Sequence, residues 1–393
     1  MRIGLSLFQF YPGRVGGAGE YVQQLVPRLT RMLGRDDRLI LCGSRENLTP
    51  FDDLRDARLE RREFTLSRLA GKGLRLGDLA TGGRLSRFLA AKINAARPDV
   101  MLFPQQALFP QGIDAPRVVT FVDLQHEHFP QYFSRFGLWS RRKKERQAVA
   151  GADRFICISA ATRDDLVRIL SVPRERTHVV YLGGDAAGDR PVPPRASSSG
   201  TVPYVLYPAN AYPHKNHVRL VRGFRRFRGA HPDVPAKLIL SGLSNRELDR
   251  ELAAREPDEG IEHVGFVSRA QLDALYAGCR GVIFPSLFEG FGIPVLEALR
   301  HGRPVVCADL PVFREIVGDA VEYFDPGSEE AIADQLQRIF CAPLRTVDPA
   351  VWENLQARFS WDRCAEETLA VLRIAATTPG EAHAMQQSSM KTV

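Results

Sequence analysis

The chain has 393 residues, of which 44% are hydrophobic; that is more than one core usually holds, so two domains are the expected arrangement. Its 53 basic against 46 acidic side chains leave a net charge of +7, which suits phosphates, nucleic acid or an anionic membrane surface without choosing among them. Six cysteines lie scattered with no C-x-x-C pair, against a disulfide framework or zinc site and in favour of reduced thiols in a cytoplasmic protein; no run reaches the ~18 apolar residues of a membrane span, and the one before Tyr11-Pro12-Gly13 is too short for a secretion signal.

In chain order, short β-branched runs alternate with helix-length segments. The first half offers "RIGLSL", "RLILCG", "DVMLFP", "RVVTFV", "RFICIS" and "HVVYL"; the second offers "YVLYP", "KLILS", "IEHVG", "GVIFPS", "PVVCA" and "VEYF". Near-continuous apolar strands of this kind indicate parallel sheets covered on both faces. Two doubly wound α/β domains are therefore expected, over residues 1–184 and 202–359. The linker is placed at 185–201, where Pro, Gly and Ser defeat both periodicities. A last helix over about 360–376 follows the second set of strands, and the polar tail 377–393 is expected to be disordered.

Several segments within this frame carry chemistry. "GRVGGAGEYVQQL" follows the first strand and opens a helix, where glycines permit close approach to a phosphate; a plain turn is the alternative. "QYFSRFGLWSRRKKERQ" sets Arg135, Arg141, Arg142, Lys143, Lys144 and Arg146 among Phe133, Phe136, Leu138 and Trp139. That mixture suits an anionic membrane surface, or equally a solvated helix face over its own core. "RLVRGFRRFRGAH" reads as an ordinary helix with Phe224 and Phe227 turned inward. No recognition motif for nucleic acid accompanies the positive charge.

The stretch "SLFEGFGIPVLEAL", Ser286 to Leu299, holds Glu289 and Glu297 with seven residues between them. "GVIFPS" before it is a buried strand, Pro294 fits the first turn of a helix, and Gly302 with Pro304 fits its end. Glu289 thus falls in a loop and Glu297 on a helix. The loop lies at the carboxyl end of a parallel strand, where doubly wound folds bind ligands. Its glycines let backbone N–H groups come close, and the helix N-terminus favours phosphate. A carboxylate at each end can accept hydrogen bonds from sugar hydroxyls on either side of a diphosphate. The alternative is an exposed loop acid and a solvated helix residue.

The surrounding residues, "LDALYAGCRGVIFPSLFEGFGIPVLEALRHGRPVVCADLPVFREIVGDAVEYFDP", closely resemble the C-terminal domain of the GT-4 family of retaining glycosyltransferases. The matching features are the "PS-x-x-EGFG-x-P-x-LEA" core, "HGRPVV" and "EIVGDAV". The resemblance implies the GT-B fold, two Rossmann-like domains with a cleft between them, in which the last helix packs back on the N-terminal, acceptor-side domain. It also implies that Glu289 meets the transferred sugar, that Glu297 holds the nucleotide's ribose, and that Gly290, Phe291 and Gly292 offer backbone amides to the sugar and its phosphate. "YPANAYPHKNH" is similar to the family's basic phosphate motif, which makes Lys215 the lysine of the diphosphate. Asn210 stands where many members carry an arginine, so one positive charge is missing unless another arginine supplies it. His214 and His217 in this motif read as capping or packing residues rather than a metal pair.

In the N-terminal half the same resemblance places Gly16 and Gly17 beside the donor diphosphate. "VVTFVDLQHEHFP" is similar to the segment in which many members have a His-Asp pair whose histidine touches the sugar; here Val122 precedes Asp123, which counts with Asn210 among the donor-binding residues the resemblance implies, and the usual histidine is absent. His126 is the replacement in the cleft, ahead of His128, with capping or packing beneath the loop as the alternative for His126.

The implied activity moves a hexosyl group (mannosyl, rhamnosyl or glucosyl) from a nucleotide-diphosphate sugar to a lipid-linked or polysaccharide acceptor, with retention by front-face attack. Glu289, His126 and Lys215 are its catalytic residues. A GDP-mannose-like donor is favoured. No cofactor or metal is expected, since there is no D-x-D motif and His126-x-His128 is a poor metal site by itself. Contact with the inner face of a membrane through Arg135 to Arg146 would add a partner besides donor and acceptor. Two other readings remain: a nucleotide-sugar epimerase on the same fold, and a non-catalytic partner subunit that binds sugar nucleotide. Nucleotide product formed only with acceptor present separates the first reading from both.

Overall fold

The computed structural model describes residues 1–12, 17–65, 73, 77–78, 84, 86–184, 202–254, 260–342 and 348–378. Gly16, the 185–201 linker and the tail from 379 onward lie outside them. The chain divides into two compact units, Met1–Gly183 with Ser360–Val393, and Gly184–Phe359.

The first unit is built on seven parallel strands: β1 (Arg2–Ser6), β2 (Arg38–Gly43), β3 (Leu59–Glu63), β4 (Val100–Phe103), β5 (Arg117–Phe121), β6 (Arg154–Cys157) and β7 (Thr177–Val179). Their order is β3-β2-β1-β4-β5-β6-β7. All except β3 coincide with apolar runs named above. β3 is "LERRE" at the sheet edge, where a strand has one neighbour and its charges can face water. The core is closed by Leu5, Leu41, Phe103, Phe121 and Phe155, all buried. The helix Trp361–Thr377, last of the described elements, belongs to this unit. It buries Trp361, Leu369 and Leu372, and its Asp362 meets Arg28 of the helix Gly17–Met32 at 2.9 Å.

The second unit has six parallel strands, β8 (Tyr204–Pro208), β9 (Lys237–Ser241), β10 (Ile261–Gly265), β11 (Gly281–Phe284), β12 (Val305–Ala308) and β13 (Glu322–Phe324), ordered β10-β9-β8-β11-β12-β13. The helix His217–Ala230 does turn Phe224 and Phe227 inward. It lies so close to the helix Glu329–Cys341 that a Cβ on Gly223 would come within 2.5 Å of Ile332. The strand order reverses between β8 and β11, and in sheets of this kind ligands bind outside the carboxyl ends of the strands at such a reversal. The loops that leave β8 and β11 carry the two motifs of this half, around Lys215 and Glu289.

Candidate active site

The loop after β8 turns through a short 3-10 helix, Pro213–Lys215, and is stopped by Asn216 in the left-handed conformation at φ 61°. The Asn216 amide donates to the carbonyls of Pro285 at 3.0 Å and Pro326 at 2.8 Å. The Leu287 N–H donates to the His214 carbonyl at 2.7 Å, and the Tyr207 hydroxyl to that of Lys215 at 2.8 Å. The bonds with Pro285 and Leu287 pin the β8 loop to the end of β11, and the bond with Pro326 ties it to the end of β13. In consequence Lys215 Nζ lies 2.6 Å from Glu289 Oε1, although the two residues are 74 positions apart. Ser286 Oγ donates to the same carboxylate oxygen at 2.7 Å. Burial holds the Tyr207 phenol far above its ordinary pKa, so it acts as a neutral donor beneath the pair. Lys215 and Glu289 keep 19% and 12% of their side-chain surface exposed, enough for a ligand to meet both.

Beyond Glu289 the chain enters the helix Ile293–Arg300 through Gly292 at φ 111°. A Cβ there would stand 2.7 Å from the Phe313 ring, so conformation and space both require glycine. Phe291 is buried edge-on against Phe359. Glu297, one turn into the helix, is only 9% exposed and so is not a solvated helix acid. Burial pushes its carboxyl pKa up, and the neighbouring Arg269 guanidinium opposes that rise. Arg269 Nη1 meets Oε1, while the Tyr276 hydroxyl donates to Oε2 at 3.1 Å.

The remaining candidates are held in other ways. The Asn210 side chain accepts from the Leu243 N–H at 2.8 Å and ties the β8 loop to the β9 loop. His217 Nε2 faces the Ala209 carbonyl at 3.1 Å, and its ring packs on Tyr207; His214 stacks on Tyr212. Burial lowers the two histidines to about 3 and about 4 respectively, so both are neutral packing residues.

In the first unit Gly17 opens the helix Gly17–Met32. Asp123 Oδ1 accepts from the Gln125 N–H at 3.2 Å at the start of the short helix Gln125–His128. His126 on that helix is 1% exposed, its Nε2 2.9 Å from Glu145 Oε2 and its ring edge-on to Phe133. His128 contacts Asp165 at 2.5 Å near the surface. Among the described residues, His126, Glu127 and Glu145 have ligand atoms within 4.8 Å of one another, a spacing open to a metal. Both oxygens of Glu127, however, accept from Arg142 at 2.8 Å, so a guanidinium already supplies the cation there.

Sequence reading passes over Ser286, Asn216, Tyr276 and Arg269. Ser286 and Asn216 lie inside the quoted motifs and are local enough to have been found. Tyr276 and Arg269 sit 21 and 28 positions from Glu297, and no spacing rule joins a helix to its neighbour across a strand and loop.

Comparison with known proteins gives these sites a family. Residues 15–188 match the family described as Glycosyltransferase Family 4, and residues 193–345 the one described as Glycosyl transferases group 1. Over 267 residues, 64% of this chain and 68% of the relative, the chain is 30% identical to the O-antigen chain mannosyltransferase B of Escherichia coli. It is 22% identical to the O-antigen chain mannosyltransferase RfbU of Salmonella typhimurium over 63% of this chain and 66% of that one. The aligned stretch thus spans about two thirds of either relative. The sucrose-phosphate synthase of Thermosynechococcus elongatus superposes with a TM-score of 0.73 at 18% identity, over 96% of this chain and all of that one, a likeness of fold. Among the described residues no helix is long and apolar enough to cross a membrane. The chain therefore belongs to the GT-4 family of glycosyltransferases, and its two parallel-sheet units are the Rossmann-like domains of the GT-B fold.

Proposed function

We propose that this glycosyltransferase moves a mannosyl or related hexosyl group, with retention, from a nucleotide-diphosphate sugar to a lipid-linked or polysaccharide acceptor. The observation that carries the reading is the 2.6 Å contact of Lys215 with Glu289 at the carboxyl ends of β8 and β11. Departure of a nucleotide diphosphate puts negative charge on phosphate and positive charge on the sugar ring. Lys215 and the amides of Gly290, Phe291 and Gly292 answer the first, and in many enzymes preorganised groups of this kind account for most of the rate enhancement. Glu289, held by Ser286, accepts from a sugar hydroxyl beside the reacting carbon. Glu297 takes the ribose. When the diphosphate arrives it competes with Glu289 for Lys215, which frees the acid for the sugar. Asp123 and Gly17 contribute to donor binding, while His126, sealed against Glu145, braces the loop that follows Asp123. No metal takes part.

The donor reading, a GDP-mannose-like sugar, is supported by the relatives named as mannosyltransferases. Contact with an anionic membrane is supported by the helix Arg135–Gly151, on which Phe136 and Trp139 are 60% and 47% exposed. Their rings lie 5.7 Å apart, with Lys143 over Trp139. Aromatic rings flanked by cations in this way suit a lipid interface. The deciding assay incubates purified protein with GDP-, UDP-, ADP- and dTDP-sugars, with and without a lipid-linked glycan. Nucleotide diphosphate is expected only with acceptor present and chiefly from a GDP-sugar; free sugar or an epimer released without acceptor would overturn the reading.

A further inference from the structure

We infer that Arg269 is a positioning residue for donor binding, holding the Glu297 carboxylate in the orientation that receives the hydroxyls of the donor's ribose. The inference rests on the ribose role proposed for Glu297 and adds a residue that no motif of the chain marks.

Arg269 is the first residue of the helix Arg269–Gly278, which is capped by Ser268. Its guanidinium is fixed between two carboxylates. Nη1 meets Glu297 Oε1, and Nη2 lies 3.2 Å from Asp273 Oδ1 one turn further along. Asp273 in turn is held by Arg300 at 2.9 Å and His301 at 3.2 Å. Tyr276 closes the network, its hydroxyl on Glu297 Oε2 and its ring stacked on His301. The charged and titratable groups facing Glu297 are thus Arg269, Asp273 and Tyr276 from the packed helix, with Arg300 and His301 from its own end. Of the two arginines here, Arg269 keeps a large open surface, 44% of its side chain, against 3% for Arg300.

A carboxylate offers about four lone-pair sites. Arg269 and Tyr276 use one on each oxygen, which leaves one on each for the paired hydroxyls of a ribose. To accept both, the acid must be ionised, and burial works against this. Arg269 is the first of the groups that counter it. Without Arg269 a larger share of Glu297 is protonated as the pH falls, and a protonated acid turns one acceptor into a donor. Donor binding then weakens towards low pH, while the chemical step, which takes place at Glu289, is little affected.

The test measures donor KM and kcat from pH 6 to 8 for the wild type, Arg269→Gln, Arg269→Lys, Glu297→Gln and the double variant Arg269→Gln/Glu297→Gln. Arg269→Gln should raise donor KM several-fold at pH 6, with a smaller rise at pH 8 and kcat nearly unchanged. Arg269→Lys should recover most of the loss, and the double variant should be no worse than Glu297→Gln. If Arg269→Gln adds its full effect on top of Glu297→Gln, Arg269 acts by itself and the inference falls. A pH-independent rise in KM would also overturn it. If Glu297→Gln leaves donor KM unchanged, the ribose reading fails, and this inference with it.

Discussion

Each unit places a basic side chain against an acid, and the two pairs differ in their access to water. In the second unit Lys215 and Glu289 meet at loop ends, partly exposed, with Ser286 as a third partner. In the first, His126 and Glu145 meet under the helix Arg135–Gly151 with only 1% and 5% of their side chains exposed. A ligand can compete for Lys215 at the cost of one exchangeable contact. A ligand that reaches His126 Nε2 has to displace a buried acid whose pKa burial already pushes up. Similar chemistry therefore serves different ends, with one pair poised for exchange and the other bracing a loop.

The strongest way to break this contrast is to delete the sealed pair. His126→Ala removes a buried ring and leaves the buried Glu145 carboxyl without the imidazole nitrogen 2.9 Å away, and leaving a buried polar group unpartnered costs about 1–3 kcal/mol. Lys215→Ala should cost a fraction of that, because Glu289 keeps Ser286 and some solvent. Urea unfolding of the two variants side by side decides the matter; equal losses would erase the distinction.

Turnover separates the pairs in the opposite direction. Glu289→Gln is expected to lower kcat by about 10²- to 10³-fold, the scale for removing one preorganised electrostatic partner, with the thermal midpoint nearly unchanged. Near-normal turnover would remove Glu289 from the site.

A smaller effect tests burial within the second unit. His217 is lowered by burial to about 3 from an ordinary value of 6.5, so as the pH falls below 6.5 the unfolded chain takes up the proton and the folded chain does not. Its contribution is complete above that pH and declines on acidification. Between pH 7.5 and 5 it should cost roughly 2 kcal/mol. His217→Gln should flatten this dependence in denaturant titrations; an unchanged slope would assign it to other groups.

The smallest expected effects concern the exposed face of the helix Arg135–Gly151. Arg142 is engaged twice by Glu127, so Arg141 and Lys143 are the better targets. Each should contribute about 1 kcal/mol at an anionic surface, screened by salt. Arg141→Gln/Lys143→Gln and Phe136→Ala/Trp139→Ala should each reduce cosedimentation with vesicles of anionic phospholipid at low salt and leave donor KM intact. Equal binding by all three proteins would make this a solvated helix face.

Much of this architecture is local and was legible in the residues. Nine interior strands announce themselves as apolar runs because a strand inside a parallel sheet is covered on both faces; the edge strands β7, β10 and β13 still carry enough apolar residues to be read, and β3 escapes because an edge strand can keep its charges. The glycine at 292 and the acid at 289 follow from what a loop at a strand end must do. The contacts that give the acids their character are of another kind. Lys215 reaches Glu289 across 74 positions and Arg269 reaches Glu297 across 28; the last helix joins the first unit after the whole second unit has intervened. No periodicity or spacing encodes such pairs, because they depend on which strands become neighbours in the sheet and which helix faces then meet. A sequence can name a lysine and a glutamate, but the order of β8 and β11 brings them within 2.6 Å, and the packing of two helices decides whether a buried acid has a partner.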